Sequence, residues 1–470
     1  MRLIRGGDRR RRFKMKVKEM VKITGGKLLS GSPDAQIDLS KICTDSRAIK
    51  KGEYFLALDG PNFSGSDFTE EALKKGAAGA IAERLTVSAA GRGKVLIRVG
   101  SGTKALQEIA ACHRMKFDIP VICVTGSNGK TTVKDMIAAI LETHYNVLKN
   151  EGTKNNHIGV PQTLLKLKPE HDICVLELGT NHRGEIRALA AIAKPTIAVM
   201  TNIGASHLEF LKDLEGVYEE KKDVLNFLDK KRGLIILNGD DEFLSRIKGR
   251  RAKVVRYGLK KSNAFSAEIV STDKDRIAFL LNDKEGFELN LLGVHNVYNA
   301  LAAIAVASQF KVEHDLIRKA LAGYRPMKMR LNLISAGDIE IINDSYNSNP
   351  LSMKTAVETM KGCPARARWI VSGDMLELGK KSAHFHRMVG ELIAAAGIEG
   401  LLTFGELSRH TLSAALGAGM DEKSLWHCAT HDEIVSILKE VVRGGDLVLV
   451  KGSRGMKMER VVEKLTEGKI

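Results

Sequence analysis

At 470 residues, 44% hydrophobic and 27% charged, the chain has a globular composition and is too long for a single core, so two to four domains are expected. No apolar run approaches the roughly 20 residues that span a bilayer, and no apolar segment follows the basic start to make a signal peptide, so a cytoplasmic protein without membrane insertion is expected. Six scattered cysteines, none in a Cys-x-x-Cys pair, suggest neither a disulfide framework nor a zinc site, and Cys123 and Cys174 read as small core residues.

The formal charge is +17, and residues 1–14 hold seven Lys/Arg against one Asp. This basic arm reads as a disordered, solvated tail or as a segment ahead of a start at Met15, in preference to a nucleic-acid-binding arm. It holds a single aromatic, Phe13, and only 5% of the chain is aromatic, which argues against stacking on bases. A basic body nonetheless suits anionic substrates.

From about 15 to 100, short strands accompany one helix, "FTEEALKKGAAGAIAER". From about 101 to 326, strands alternate with helices: "VICVTG" leads into a helix at 131–143, "DICVLELG" into "GEIRALAAIA", and "TIAVMTNIG" into "GVYEEKKDVLNFLDK", with "GLIILNGDD" after it. Apolar runs this continuous are strands buried on both faces, so the sheet is expected to be largely parallel. A hairpin-like stretch at 264–292 precedes the helix "HNVYNALAAIAVASQF". From about 327 to 470 a second α/β unit is expected, with strands at "IEIINDSY", "ARWIVSGD", "GLLTFG" and "DLVLVKGS". Its boundary at "GYRPMKMR" combines Gly, Pro and cations, as a hinge would. The expected fold is therefore α/β in three domains, a central phosphate-loop ATPase domain with a parallel sheet between an N-terminal α/β domain and a C-terminal Rossmann-like one.

The strand "VICVT" breaks into Gly126-Ser127-Asn128-Gly129-Lys130-Thr131-Thr132 immediately before a helix. The spacing is tighter than the usual phosphate loop, since counting back from Gly129 puts Val124 where the first glycine would stand. The physics is the same: glycines allow a turn whose N–H groups face phosphate, Lys130 neutralises β/γ oxygens, and the Thr131 or Thr132 hydroxyl reaches Mg²⁺. Glu177 and His207 end or follow the next apolar strands, where a parallel sheet presents ligand-facing groups, and together they read as metal-holding residues.

These motifs, with "NNHIGVPQTLL", "ELGTNHRGEI", "NIGASHLE", "GVHNVYNALAA", "NDSYNSNP", "GDMLELG" and "VKGSRGMKME", resemble the Mur ligases, ATP-dependent amide-forming enzymes of peptidoglycan synthesis. The likeness covers the chain from about residue 15 and, through "ELGTNHRGEI", "DSYNSNP" and "GDMLELG", points to the member that adds D-alanyl-D-alanine to UDP-N-acetylmuramoyl-tripeptide. It implies that ATP is bound by residues 126–132 with Asn299 at the adenine and Arg330 and Asp344 closing over the nucleotide. Catalysis would rest on Lys130, Glu177 and His207. Of two Mg²⁺ ions, one would be held by Thr131 and Glu177 and the other by His207 with Lys221, carbamylated as in several members, although adjacent Lys222 is an alternative. Ser46 and Arg47 would grip the UDP-sugar in the first domain, Asn155, Asn156, Thr180, Asn181 and His182 would line the muramoyl-peptide path, and Tyr346, Asn347 and Asn349 would shape the dipeptide pocket of the third. A monomer is expected. The family's two acids before Ser-Tyr are reduced to one here, because Asn343 precedes Asp344.

Other readings compete. A diamino-acid-adding relative would carry Asp-Asn-Pro-Arg where this chain has Gly-Glu-Leu-Ser in "LLTFGELSRH", and a folylpolyglutamate synthetase shares the loop but not "ELGTNHRGEI" or "DSYNSNP". A phosphate-loop ATPase acting on nucleic acid is the alternative from another class.

Overall fold

The structure is a computed structural model describing residues 14–60, 63–86, 92–249, 252–273 and 275–467. Residues 1–13 of the basic arm lie outside the described residues, and Lys14 already belongs to a short strand, Lys14–Lys16, paired antiparallel with Gln36–Asp38. Three larger sheets follow in chain order, making the mixed α/β, three-domain architecture that the alternation predicts. Among the described residues no helix is long and apolar enough to cross a membrane.

The first sheet runs in the order Lys27–Ser30, Val95–Arg98, Gly79–Ala82, Tyr54–Leu56, Ile42–Cys43, parallel except for the first pair. One expectation fails here. The stretch "FTEEALKKGAAGAIAER" is not one helix but a short helix, Thr69–Lys74, and a strand, Gly79–Ala82. Gly76, at φ +102°, turns the chain out of the helix, and all four strand residues are buried. Alanine-rich composition favours a helix in isolation, but a segment buried on both faces between two parallel strands takes the sheet's hydrogen bonds instead.

In the central sheet the order is Glu285–Leu289, Ile277–Leu281, Phe265–Thr272, Lys253–Gly258, Leu234–Asn238, Ile197–Met200, Val121–Thr125, Ile173–Glu177, Val147–Lys149. Seven strands are parallel, and the four apolar ones at its centre are buried along their whole length. The stretch at 264–292 is a three-stranded antiparallel meander rather than a single hairpin, and it extends the sheet at one edge. The chain leaves Val121–Thr125 toward one side and returns to its other side at Ile197–Met200, so connections diverge at the carboxyl end of this strand. Ligands of open α/β sheets bind in the crevice at such a switch point. The helix Lys130–Leu141 starts there and packs on the nearly all-buried helix His295–Gln309.

The third sheet is ordered Asn332–Ala336, Ile339–Asp344, Leu447–Lys451, Arg368–Gly373, Gly400–Phe404, Leu425–Cys428, parallel except for the antiparallel first pair. Its first and last strands are additions to the four expected, since their half-buried residues give no continuous apolar run. Cys123 and Cys174 are fully buried in the core, as their apolar surroundings predict.

Gly79 is the tightest point of the first sheet: a Cβ there would lie 2.2 Å from the Val95 carbonyl oxygen. Gly79→Ala is expected to destabilise the chain by about 1–3 kcal/mol through overpacking, read as a lowered urea midpoint with the slope unchanged.

Candidate active site

The crevice at the switch point is a cavity of about 730 Å³ walled by both the central and the third sheets. On the central side the phosphate loop is held in place before any nucleotide arrives. The Asn128 N–H donates to Asn202 Oδ1 at 2.9 Å, Ser127 N–H to the Asn202 carbonyl at 2.9 Å, and Ser127 Oγ to the Gly204 carbonyl at 3.0 Å. Both loop glycines are required for approach as well as for turning. A Cβ on Gly126 (φ +149°) would lie 1.9 Å from Thr201 Oγ1, and one on Gly129 (φ +80°) 2.5 Å from Asn299 Oδ1. The second contact also places Asn299, expected at the adenine, directly against the loop and in the cavity wall.

Lys130 bends back over its own loop, donating to the Gly126 and Ser127 carbonyls at 2.8 and 3.0 Å. Burial holds its pKa below the usual lysine value, opposed by the nearby Glu177 carboxylate. Thr131 is buried at the helix start, and Thr132 follows it in the cavity wall.

Glu177 is only 1% exposed. It sits on the strand beside the loop strand, opposite Val124, which is why the end of an apolar run lands at the phosphate site. Its Oε1 accepts from Asn155 Nδ2 at 2.6 Å, while its buried Oε2 has no hydrogen-bond partner. A carboxylate oxygen buried without a donor is costly unless a cation is expected there. Mg²⁺ is usually held by one or two carboxylates together with substrate phosphates, so Glu177 Oε2 and the Thr131 hydroxyl beside the phosphate loop fit that ion.

His207 occupies a left-handed backbone conformation, φ +54°, and its Nδ1 meets Glu377 Oε2 of the third domain at 2.5 Å. That hydrogen bond holds the Glu377 carboxyl below its ordinary range. The two adjacent lysines separate cleanly. Lys222 is half-buried, pairs with Glu219 and lies over the Tyr218 ring at 4.7 Å, whereas Lys221 is 2% exposed. Burial and then the charge of Lys130 push the Lys221 pKa well down, with Glu220 opposing.

Thr180 is buried, its Oγ1 donating to Glu220 Oε1 at 3.1 Å, and the same carboxylate accepts from the Gly184 and Ile186 N–H groups at 2.6 and 2.8 Å. Glu220 thus fixes the turn carrying Thr180 and Asn181, both of which line the cavity. His182 points to the surface, against Glu185 and with its ring 4.2 Å from that of Phe210.

From the third domain, the Arg330 guanidinium stacks 4.0 Å over the Tyr346 ring, and its buried Nε has no partner. Asp344 is bound by Lys451 Nζ at 2.5 Å, and Lys451 also donates to the Asn347 carbonyl at 2.9 Å. Tyr346 Oη donates to Thr153 Oγ1 at 2.7 Å, and Asn349 Nδ2 to Asn128 Oδ1 at 2.8 Å, so two of the three expected dipeptide-pocket residues touch the central domain directly. Asn343, standing where the family has an acid, accepts from Ser345 N–H and Oγ at 3.2 and 2.6 Å and shapes the turn instead.

Six expected residues are not in the wall of this cavity: Gly126 lies behind the loop against Thr201, Lys221 is buried outside it, His182 faces the surface, and Ser46, Arg47 and Asn156 lie elsewhere. Arg47 is 85% exposed and held by Asp45, and Ser46 lies beside it in the first domain with its carbonyl bound by Lys75. Asn156 is exposed, and its Oδ1 accepts from Ile158 and Gly159 N–H at 3.1 and 2.9 Å, a turn-closing role at the start of the helix Gly159–Leu165. Conversely, Lys451, Glu377, Thr201, Asn202 and Glu220 were not picked out. For Lys451 a signal existed: a lysine ending the apolar run "DLVLVK" is a buried cation in want of an acid.

Lys451→Met would strand the Asp344 carboxylate in the interior, with an expected loss of about 3–5 kcal/mol in denaturant unfolding. Lys451→Met combined with Asp344→Asn should recover most of it.

Comparison with known proteins agrees with this geometry. Three family models match in succession: the Mur ligase family catalytic domain at 38–114, the Mur ligase middle domain at 124–307, and the Mur ligase glutamate ligase domain at 329–454. UDP-N-acetylmuramoyl-tripeptide–D-alanyl-D-alanine ligase of Bacillus subtilis is 36% identical over 454 residues, covering 96% of this chain and 97% of its own. Among solved structures, MurF of Acinetobacter baumannii superposes with a TM-score of 0.87 at 30% identity, covering 97% of this chain and 99% of its own. MurF of Thermotoga maritima in complex with ADP gives 0.81 at 27%, covering 92% and 98%. The chain belongs to the Mur ligase family.

Proposed function

We propose that the chain uses ATP to join the terminal carboxylate of UDP-N-acetylmuramoyl-tripeptide to the amine of D-alanyl-D-alanine, giving the UDP-muramoyl-pentapeptide of peptidoglycan synthesis. The observation that carries this is the shared cavity, in which the phosphate loop of one domain faces the Tyr346–Asn349 turn of another. Relatives bearing the UDP-N-acetylmuramoyl-tripeptide–D-alanyl-D-alanine ligase name, and a solved MurF structure, all similar over the full chain, support the choice of substrates.

A carboxylate resists amide formation because it is resonance-stabilised and its oxygen leaves poorly. A carboxylate oxygen attacks the γ-phosphorus, ADP departs, and an acyl phosphate forms. The dipeptide amine then adds to the carbonyl, and orthophosphate leaves carrying that oxygen. Lys130 supplies counter-charge to the phosphates, Asn299 orients the adenine, and Arg330 and Asp344 close over the nucleotide. Thr131 and Glu177 would hold one Mg²⁺, and His207 with Lys221 a second. When bound, these ions offset the repulsion between carboxylate and phosphate. Asn155, Thr180, Asn181 and His182 guide the muramoyl peptide, with Asn156 holding the turn of that segment. Ser46 and Arg47, outside the cavity, take the UDP-sugar. Tyr346, Asn347 and Asn349 seat the dipeptide, and the contacts of Tyr346 and Asn349 with the central domain help to keep water from the acyl phosphate.

Carbamylation of Lys221 requires a neutral amine to attack CO₂, and its depressed pKa supports Lys221 over Lys222. The chain is proposed to act as a monomer, and the ATP requirement fits a cytoplasmic location.

Phosphate release is expected only when the muramoyl tripeptide and D-alanyl-D-alanine are both present, with oxygen-18 from the tripeptide carboxyl appearing in the orthophosphate. Amide accumulating without label in phosphate would refute the acyl-phosphate route. Enzyme stripped of CO₂ should lose activity and regain it on adding bicarbonate, with an intact-mass gain of one CO₂ that Lys221→Ala abolishes.

A further inference from the structure

We infer that Lys134 is a positioning residue for Glu177, acting through Asn150 and the loop 150–155; the inference rests on the reading of Glu177 as a metal-holding group. Lys134 lies one turn beyond Lys130 on the helix Lys130–Leu141 and is fully buried. Its ammonium has three protons to satisfy and does so with the Asn150 carbonyl at 2.9 Å, the Gly152 carbonyl at 3.0 Å and Asp135 at 3.2 Å. Two of the three partners are backbone atoms of a loop, so the charge is spent on holding that loop to the phosphate helix.

What the loop does next is orient the carboxylate. Asn150, also fully buried, grips the backbone of Glu177 from both sides: its Oδ1 accepts from the Glu177 N–H at 2.9 Å and its Nδ2 donates to the Glu177 carbonyl at 3.2 Å. Its Nδ2 also donates to the Lys154 carbonyl at 3.0 Å, closing the loop on itself. Five residues further on, Asn155 fixes the side chain through its 2.6 Å bond to Glu177 Oε1, the bond that leaves Oε2 free. Asn155 has little room to wander, because its carbonyl accepts from the Gly179 N–H at 2.9 Å and a Cβ on Gly179 would lie 2.6 Å from its amide. The third domain touches the same loop, through Tyr346 on Thr153. Lys134 therefore stands where the phosphate helix, the metal-facing carboxylate and the closing domain are tied together.

Groups that orient a metal ligand without touching the metal typically change affinity by about 10–100-fold when lost. The test uses the full chain, with Mn²⁺ replacing Mg²⁺ and free Mn²⁺ followed by electron paramagnetic resonance in the presence of ADP. Lys134→Met and Asn155→Ala are each expected to weaken Mn²⁺ retention by about tenfold, and the double variant to be no weaker than the worse single one. Folded Lys134→Met with unchanged Mn²⁺ retention, or strictly multiplicative losses in the double variant, would overturn the inference. Should Lys134→Met not fold, Lys134→Arg takes its place: its longer, forked head displaces the loop, and Mn²⁺ retention equal to the parent's would count as refutation. Glu177→Gln separates the two levels. If it too leaves Mn²⁺ retention untouched, the metal reading itself fails and the inference falls with it; if it alone is impaired, only the role of Lys134 is lost.

Discussion

A carboxylate buried with one oxygen satisfied and the other left bare is the constraint from which this site is organised. Glu177 is nearly inaccessible, yet only Oε1 has a donor. Such a group is tolerable where positive charge surrounds it, and the surroundings comply: Lys130 is within electrostatic reach, and the phosphate loop lies one strand away. The wall thus sets a carboxylate with one unpaired oxygen beside a lysine and a phosphate-binding loop, an arrangement suited to a reaction between anionic groups.

Some of the contacts between the central and third domains are made by the same groups that make the site. Asn128 of the phosphate loop exchanges amide hydrogen bonds with Asn349, Tyr346 reaches Thr153, and Glu377 reaches His207. None of these is a large apolar interface. They are polar contacts between residues that also line the cavity, set beside an apolar cluster that runs on from Leu208 and Leu211 to Met353, Met375 and Leu378, so part of what holds the domains together also shapes the site.

Much of this was legible in the chain itself. Continuous apolar runs ending in Gly-Ser-Asn-Gly-Lys, in Glu177 and ahead of His207 predict parallel strands whose carboxyl ends share one crevice, and the register of neighbouring strands delivers it. The helix–strand break at 74–79 was not legible, because alanine and glycine leave no periodic signature and only the neighbours at Tyr54 and Val95 decide the outcome. The partners of Asp344 and His207 were hidden for another reason. Lys451 is 107 residues from its acid and Glu377 170 from its histidine, separations to which local pattern is blind. Asn156 and Asn155 show the finest limit: identical neighbours, one aimed at a buried carboxylate and the other at its own turn.

The adjacency of Lys221 and Lys222 has a consequence for how the site can be modified. Successive residues on a helix point about 100° apart, so one amine is buried while the next is half-exposed, paired with Glu219 beside the Tyr218 ring. Burial shields the first from bulky electrophiles in water, which reach the second more readily. Reagents that label surface amines should therefore leave the inner one in reserve, and the chain can distinguish two chemically identical groups by nothing more than the pitch of a helix.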